Sequence, residues 1–213
     1  MTLSGKSTNL KLAIVLLAAG EGSRMGSIPK ALLRQDGKSL LETFCASVDM
    51  LNPVEFLVVT GFHAQAIEAE LKRVGKTTNA AITVIHNSKS AQGQGSSVRL
   101  ALESLQSQFD VLAVCLSDQP HITDQELMVL LEQFIDRKDP EEIVMPQVNG
   151  QRGNPVLLSR KAVEAILSMP NMVCRPYMDQ HPDLVKIYET DHAAFILDVD
   201  TEADIQKLGI TRT

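Results

Sequence analysis

The sequence contains no tryptophan, and aromatic residues make up only 4% of it. Its core must therefore be built mainly from leucine, isoleucine, valine, alanine and methionine. The cysteines, Cys45, Cys115 and Cys174, are far apart and form no CxxC pair, so they indicate neither a zinc site nor a disulfide framework. Reduced thiols are the expected state, and we expect a cytoplasmic protein.

Long apolar runs are also missing. The run LKLAIVLLAAG beginning at Leu10 superficially resembles a signal peptide, but its apolar part, 12–19, falls far below the roughly 20 residues of a membrane span, and a buried strand explains it. The net charge of −6 would repel the anionic surfaces of nucleic acids and membranes. We therefore expect no nucleic acid or membrane partner, and any phosphate ligand needs a local cationic site.

What the sequence does contain is a set of short runs rich in β-branched residues, apolar at consecutive positions: AIVLLAA, FLVVTG, AITVIHN, VLAVCLSD and EIVMPQ. Such runs are typical of strands buried on both faces. Segments with helical period lie between them, near 39–51, 63–74, 95–107 and 123–137. This alternation predicts a Rossmann-like, three-layer α/β/α domain around a mostly parallel sheet.

The last third is less regular. It predicts a turn around Asn149-Gly150 that enters a strand, helices near 159–168 and 171–180, strands near 184–189 and 194–199, and a helix from about Thr201. Three helix starts carry capping patterns: Ser39-x-x-Glu42, Thr123-x-x-Glu126 and, more weakly, Thr201-x-x-Asp204. We expect one domain, 10–213, preceded by a flexible N-terminus, 1–9.

The stretch LAAGEGSRMGSIPK, residues 17–30, follows the first predicted strand, where open parallel sheets usually bind phosphates. Its glycines let backbone N–H groups point at an anion, and Arg24 and Lys30 add charge. The dinucleotide fingerprint GxGxxG fails because Met25 stands where its third glycine belongs, and the Gly-Lys-Ser/Thr of a P-loop is missing. A Rossmann oxidoreductase is further disfavoured because VVTGFH has no acidic residue at the end of the second strand.

This loop, L-A-A-G-x-G-x-R-M-G followed by Pro-Lys, resembles the signature of the MobA-like nucleotidyltransferases. Further stretches match that family in the same order: VVTG, IHN, QGQGSSV, SDQP, GNPVLL and LDVDTEAD. Within the family, Ala18-Ala19-Gly20 is similar to the AAG of the molybdenum cofactor cytidylyltransferases, whereas the guanylyltransferases carry AGG. The resemblance implies the nucleotide-diphospho-sugar transferase type of fold.

The resemblance also implies roles for individual residues. Arg24 and Lys30 would act on the triphosphate as catalytic residues, together with Asp118. Thr60 and Asn87 fall where the family contacts base or ribose, whereas Ser96 and Ser97 could serve the nucleotide or merely cap a helix. The remaining nucleotide-binding residues form the backbone cradle: Leu17, Ala18, Ala19, Gly20, Gly22, Ser23 and Gly26.

A magnesium site is expected from two carboxylates. Asp118 follows a buried strand and lies at the same sheet edge as the first loop, where a carboxylate can hold a hard ion that bridges phosphates. Asp198 and Asp200 alternate along a predicted strand, so only one can readily face the metal. The resemblance favours Asp200, with Asp198 as a structural partner. The histidines, at positions 63, 86, 121, 181 and 192, show no metal-ligand spacing.

The resemblance places the acceptor near Arg152, Gly153, Asn154 and Pro155, with Arg175 for its phosphate. It implies a magnesium-dependent transfer of CMP from CTP to a phosphate-bearing pterin, molybdopterin or molybdenum cofactor, with release of pyrophosphate. The nucleotide-binding part would span about 10–120 and the acceptor-binding part about 121–200. A molybdoenzyme or its chaperone would receive the product. The alternatives are a guanylyl- or sugar-nucleotidyltransferase with the same site, and a non-catalytic molybdenum-cofactor escort protein.

Overall fold

The computed structural model describes residues 10–212; the segment 1–9, predicted to be flexible, lies outside the described residues. An eight-stranded sheet runs through the molecule, beside a separate two-stranded hairpin. The strands are β1 (Leu12–Ala18), β2 (Arg34–Gln35), β3 (Lys38–Ser39), β4 (Glu55–Thr60), β5 (Ile82–His86), β6 (Val111–Leu116), β7 (Ile143–Val148), β8 (Gln151–Arg152), β9 (Val156–Ser159) and β10 (Val185–Thr190). The α-helices are α1 (Leu40–Leu51), α2 (Ala64–Val74), α3 (Gln94–Ser104), α4 (Asp124–Ile135), α5 (Arg160–Ser168), α6 (Cys174–Gln180) and α7 (Glu202–Lys207).

The strand order of the large sheet is β10-β7-β9-β6-β1-β4-β5, and β8 pairs with β7. β1 lies between β6 and β4 and is parallel to both, and β4 is parallel to β5. β9 runs antiparallel to both of its neighbours, β6 and β7. The sheet is therefore mixed but mostly parallel, which confirms the predicted fold class.

Both faces of the sheet are covered by helices. All seven residues of β1 are buried, and alternate side chains point to opposite faces because the side-chain period of a strand is two. Ile14 and Leu16 join the core under α1, α2 and α4, whereas Ala13 and Val15 join the core under α3, α5 and α6. A central strand buried on both faces explains why its sequence is apolar without alternation.

A third, smaller core supports the loop after β1. Its buried residues come from distant parts of the chain: Met25, Leu33, Leu40, Val199, Ile205 and Ile210. The core therefore joins the loop after β1 to the C-terminal helix α7. Arg24 and Asp200 are the sequence neighbours of Met25 and Val199, so this packing brings together two charged residues that are distant in sequence.

The predicted strand near 194–199 is wrong. Ala193–Ile196 forms a 3-10 turn, and the next residues are extended without pairing in the sheet. The carbonyl oxygen of Phe195 instead accepts hydrogen bonds from the backbone N–H of Asn154, at 2.8 Å, and from the side-chain amide of Gln119, at 3.2 Å. The segment thus connects the loop that contains Asn154 with the loop that contains Gln119. Because it is not a strand, the side chains of Asp198 and Asp200 need not follow the alternating directions of strand residues.

Other predicted elements are confirmed with small boundary differences: α3 ends at Ser104 and α6 begins only at Cys174. Thr123 and Thr201 form complete capping boxes, whereas Ser39 accepts the backbone N–H of Glu42. The cysteines are buried and unbridged. None of the helices among residues 10–212 combines the length and apolar character that crossing a membrane requires.

Candidate active site

A cleft of about 500 Å³ opens at the carboxyl ends of β1 and β6. The loop after β1 forms one wall, and the residues after β6 and before α7 form another. The cleft brings together most of the residues predicted for the nucleotide and the metal: Leu17, Ala18, Ala19, Gly20, Gly22, Ser23, Arg24, Lys30, Ser97, Asp118 and Asp200. Asp198, predicted as a structural partner, lines it as well. Parallel neighbouring strands end at the same edge, which explains why their loops share one cleft.

Two cations and two carboxylates meet directly in this cleft. The Lys30 Nζ donates to Asp118 Oδ2 at 2.8 Å and to Asp200 Oδ1 at 2.5 Å. The Arg24 Nη1 donates to the other oxygen of Asp200, Oδ2, at 2.7 Å. The Lys30 side chain is only 18% exposed, whereas that of Arg24 is 72% exposed. The charge of Lys30 is thus largely sheltered from solvent within the cleft, whereas that of Arg24 is exposed to solvent.

The pKa values reflect this clustering. Burial lowers the pKa of Lys30, but the charges and hydrogen bonds of Asp118 and Asp200 outweigh it, so this pKa is raised overall. The hydrogen bond from Lys30, aided by the charge of Arg24, holds the pKa of Asp200 below its usual range. Burial and the charge of Asp118 raise the pKa of Asp198 to about 6. The cleft therefore carries a permanently charged lysine among carboxylates whose charges repel one another.

Backbone contacts fix this arrangement. The N–H of Val199 donates to the carbonyl oxygen of Asp118 at 2.9 Å, which attaches the segment before α7 to the end of β6. Asp198 and Asp200 flank Val199, and both line the cleft. The expectation that they point to opposite sides is therefore wrong, because the segment is not a β-strand.

Two glycines of the loop after β1 allow its backbone to form a tight turn. Ser23–Met25 forms a single 3-10 turn between Gly22 and Gly26, which both have left-handed backbone conformations, with φ of 69° and 81°. The carbonyl oxygen of Gly22 accepts from Met25 N and from Ser27 N, each at 3.0 Å. Gly26 ends the turn, whereas Gly22 lies in the cleft wall.

Replacing Gly22 with alanine should destabilise the protein. An added Cβ would overlap the carbonyl oxygen of Ile28, and the left-handed backbone adds strain. We expect the Gly22→Ala variant to lose about 2 kcal/mol of unfolding free energy in urea titrations. The matched control is Gly20→Ala, whose Cβ would meet no atom within 4 Å. Equal stability of the two variants would contradict the proposed steric role.

The carboxylates fit a divalent cation. The Oδ1 atom of Asp198 is buried and has no hydrogen-bond partner among the described residues. Within residues 10–212, no group of three or more His, Cys, Asp or Glu side chains is arranged to hold a metal by itself. Magnesium, however, usually keeps waters and substrate phosphates in its shell beside one or two carboxylates. The donor set suits an ion that arrives with a nucleotide.

Four residues predicted to bind the nucleotide form side-chain hydrogen bonds within the protein. Thr60 is fully buried, and its hydroxyl donates to Glu68 at 3.1 Å. The side-chain amide of Asn87 donates to the hydroxyls of Ser96 and Ser97, each at 2.9 Å. Neither serine caps α3, which has Gly93 at its N-cap. Among these four, Ser97 alone lines the cleft. Asn87 and Ser96 support the loop that precedes α3 through hydrogen bonds with Lys89, whereas Thr60 bonds with Glu68 on α2.

A second cavity of about 350 Å³ adjoins the first and shares Leu17, Gln94 and Leu116 with it. It contains three of the predicted acceptor residues, Gly153, Asn154 and Arg175. The rest of its lining is largely apolar: Val98, Val114, Met145, Val156, Val173, Cys174, Pro176 and Met178. The cavity therefore combines an apolar interior with basic side chains.

Close backbone contacts shape this second cavity. A Cβ on Gly153 would lie 2.6 Å from the carbonyl oxygen of Phe195, so only glycine allows the approach. Pro155 follows a cis peptide bond and is not among the lining residues. Arg152, which belongs to the predicted acceptor region, also lines the cavity and forms an ion pair with Asp179 at 2.5 Å.

Sequence reasoning missed several lining residues of the first cleft, among them Phe62, Ser90 and Gln94. Gln94 lies within the stretch QGQGSSV, which already marked this loop. Phe62 follows the VVTG stretch, and no local pattern distinguishes it from a core phenylalanine. Only the folded structure places Phe62 at the cleft.

Known proteins resemble this chain along most of its length. The MobA-like NTP transferase domain family matches residues 14–183. The chain is 34% identical over 120 residues to the bifunctional protein GlmU of Streptomyces coelicolor, a match that covers 55% of the chain and 24% of GlmU. It is 28% identical over 194 residues to the molybdenum cofactor cytidylyltransferase of Escherichia coli, which covers 89% of the chain and 91% of that enzyme.

Among solved structures, Rv0371c from Mycobacterium tuberculosis has a TM-score of 0.70 at 22% identity, with 94% of this chain and 98% of that chain covered. A complex of the same protein with manganese has a TM-score of 0.66 at 21% identity, with 93% and 97% covered. These likenesses show the nucleotide-diphospho-sugar transferase fold. Since the family match spans most of the chain, the chain belongs to the MobA-like NTP transferase domain family.

Proposed function

We propose that the protein transfers CMP from CTP to a phosphate-bearing pterin, molybdopterin or molybdenum cofactor, and releases pyrophosphate. One observation carries the proposal: Arg24 and Lys30 converge with Asp118 and Asp200 in a single cleft at the sheet edge. The preference for CTP is supported by Ala18-Ala19-Gly20 and by the similarity to the molybdenum cofactor cytidylyltransferase across most of both chains.

In this reaction an oxygen of the acceptor phosphate attacks the α-phosphorus of the nucleotide. A new P–O bond forms, and the bond between the α-phosphorus and the bridging oxygen breaks, so that pyrophosphate leaves. Lys30 and Arg24 offset the negative charge of the transferred and leaving groups. The acceptor phosphate is already ionised near neutral pH, so neither a protein nucleophile nor a general base is required.

Asp118 and Asp200 would hold magnesium, with Asp198 beside them. When bound, the ion supplies positive charge to phosphate oxygens and orients them. Two observations support this assignment: the unpartnered buried oxygen of Asp198, and the structural relative that was solved in complex with manganese. Asp198 must be ionised to take part, and because its pKa is raised to about 6, acid pH should weaken metal binding.

The second cavity is the proposed acceptor site. Its apolar interior suits a flat heterocycle, and Arg175 suits the phosphate that the heterocycle carries. The cavity draws on α3 as well as on β7, β9 and α6. The proposed division into a nucleotide-binding part, about 10–120, and an acceptor-binding part, about 121–200, is therefore approximate, because Gln94 and Gly95 serve the acceptor side.

Replacing Arg175 with alanine should weaken acceptor binding selectively. The side chain is exposed at the second cavity and is not part of the cleft that holds Lys30. We expect Arg175→Ala to raise the KM for molybdopterin by about tenfold, the value of one charge-assisted contact, and to leave the KM for CTP unchanged. Arg160→Ala on α5 is the matched surface control. An equal rise of both KM values would contradict the assignment.

The proposed function is tested by incubating the purified protein with magnesium, molybdopterin and each of CTP, GTP, UTP and ATP, and measuring pyrophosphate. We expect that CTP releases pyrophosphate and that a cytidylylated pterin forms at the same time. Release with GTP, or with UTP and a sugar phosphate as acceptor, would replace the proposal with a guanylyl- or sugar-nucleotidyltransferase. Molybdopterin binding without any pyrophosphate release would indicate an escort protein. The expected cytoplasmic location and a receiving molybdoenzyme or chaperone remain parts of the same proposal.

A further inference from the structure

Phe62 is an unusual phenylalanine in this chain. The sequence contains six phenylalanines, and the other five, Phe44, Phe56, Phe109, Phe134 and Phe195, are at most 6% exposed. Phe62 is 46% exposed and lines the first cleft. A single exposed apolar residue is common on protein surfaces, so exposure alone says little. Its position at a substrate cleft is what requires an explanation.

The loop that carries Phe62 is held closely against the cleft wall. The preceding Gly61 approaches Ala19 and Ser90 so closely that an added Cβ would lie 2.7 Å from the carbonyl oxygen of Ala19 and 2.8 Å from the Cβ of Ser90. On the other side, the His63 Nε2 bonds with the carbonyl oxygen of Glu21 at 2.8 Å. Phe62, which lines the cleft, therefore lies between two neighbours that are held in place.

The cleft has two chemically different regions. Asp118, Asp200 and Arg24 form one charged cluster with Lys30. The loop next to Phe62 contributes uncharged residues, Ser90, Ala91, Gly93 and Gln94. A nucleotide has the same division, with a highly charged triphosphate and an uncharged nucleoside. With the triphosphate at Lys30, the nucleoside extends toward the uncharged region.

We propose that Phe62 forms the apolar wall against which the nucleoside of the bound nucleotide packs, with its ring stacked on the base. The inference rests on the proposed function for the position of the triphosphate. Stacking on an aromatic ring is tolerant of base identity because every base has a π-face. Phe62 therefore contributes affinity without selecting the base, and selection is left to polar groups elsewhere in the cleft.

The first test uses the lack of tryptophan in the sequence. A Phe62→Trp variant carries a single indole, whose emission reports on stacking. We expect quenching by CTP and by GTP, each with magnesium, and none by inorganic triphosphate with magnesium. The matched control is Met50→Trp, because Met50 is 75% exposed on α1 and does not line the cleft. Quenching by triphosphate alone to the same extent would overturn the proposal.

The second test uses calorimetric titration with nucleotides and no acceptor. We expect Phe62→Ala to raise the dissociation constants of CTP and GTP by about tenfold each, so that their ratio is unchanged, and Phe62→Tyr to restore binding. Triphosphate binding should be unaffected. Wild-type affinity for CTP in Phe62→Ala would overturn the inference alone. If the wild-type protein binds no nucleotide at all, the proposed function fails together with it.

Discussion

Substituting Lys30 with alanine should lower kcat/KM for nucleotidyl transfer by at least about a hundredfold, which corresponds to about 3 kcal/mol of transition-state stabilisation. The ammonium group is the sheltered cation of the cleft and touches both Asp118 and Asp200. Without it, the charge that develops on the leaving pyrophosphate loses its sheltered protein counter-charge, and the exposed Arg24 and the proposed magnesium remain to offset it. The measurement is steady-state pyrophosphate release with CTP and molybdopterin.

Lys161 provides the matched control for this experiment. It also forms a lysine–carboxylate pair, with Glu142 at 2.8 Å, but its side chain is 76% exposed at the start of α5. Lys161→Ala should retain turnover, because exposed ion pairs contribute little to stability and this one is not in the cleft. A Lys30→Ala enzyme that remains folded and turns over at a near-normal rate would refute the assignment of Lys30.

The sheet and most helices were predictable because their signals are local. The strand β1 is buried on both faces, so an uninterrupted apolar run is a reliable signal of it. Thr123 caps α4 through a bond to its near neighbour Gln125 and a reciprocal bond with Glu126, which are properties of four consecutive residues. The meeting of the loop after β1 with Asp118 was also anticipated, because the ends of parallel strands lie at one edge. Asp200, by contrast, was chosen only because the sequence resembles the MobA-like family.

The segment 194–199 was not predictable, because its backbone partners lie far away in the sequence. Phe195 bonds with Asn154 and Gln119, and Val199 bonds with Asp118. Nothing in the local pattern reveals these contacts, and an apolar run of this kind is equally consistent with a strand. The same limitation affected Thr60, whose hydroxyl turned out to be fully buried against Glu68.

Asp118→Ala should cause a loss of at least about a hundredfold in kcat/KM, comparable with that of Lys30→Ala. The Asp118 carboxylate orients Lys30 and is one of the proposed magnesium ligands. We expect Asp118→Asn to lose a similar amount, because the amide keeps the shape but not the charge. Both variants should require more magnesium for half-maximal rate, which is measured by titrating the metal at saturating CTP.

Asp110 is the matched control, because it precedes β6 whereas Asp118 follows it. Its carboxylate accepts the backbone N–H of Lys11 at 2.8 Å, at the opposite end of the sheet from the cleft. Asp110→Asn should therefore leave the magnesium requirement unchanged. If Asp118→Ala and Asp110→Asn raised the magnesium requirement to the same extent, the carboxyl edge of the sheet would have no special role in binding the metal.

The Lys30→Ala, Asp118→Ala double variant separates a shared role from two independent ones. When two residues act as a unit, the first substitution already removes most of their joint contribution to kcat/KM. The second substitution then lowers kcat/KM little further. The bond between Lys30 Nζ and Asp118 predicts this behaviour: the double variant should be within about tenfold of either single variant. If the kcat/KM losses of the two single variants multiply in full in the double variant, Lys30 and Asp118 stabilise different parts of the transition state. Their ion pair would then matter only before the nucleotide binds.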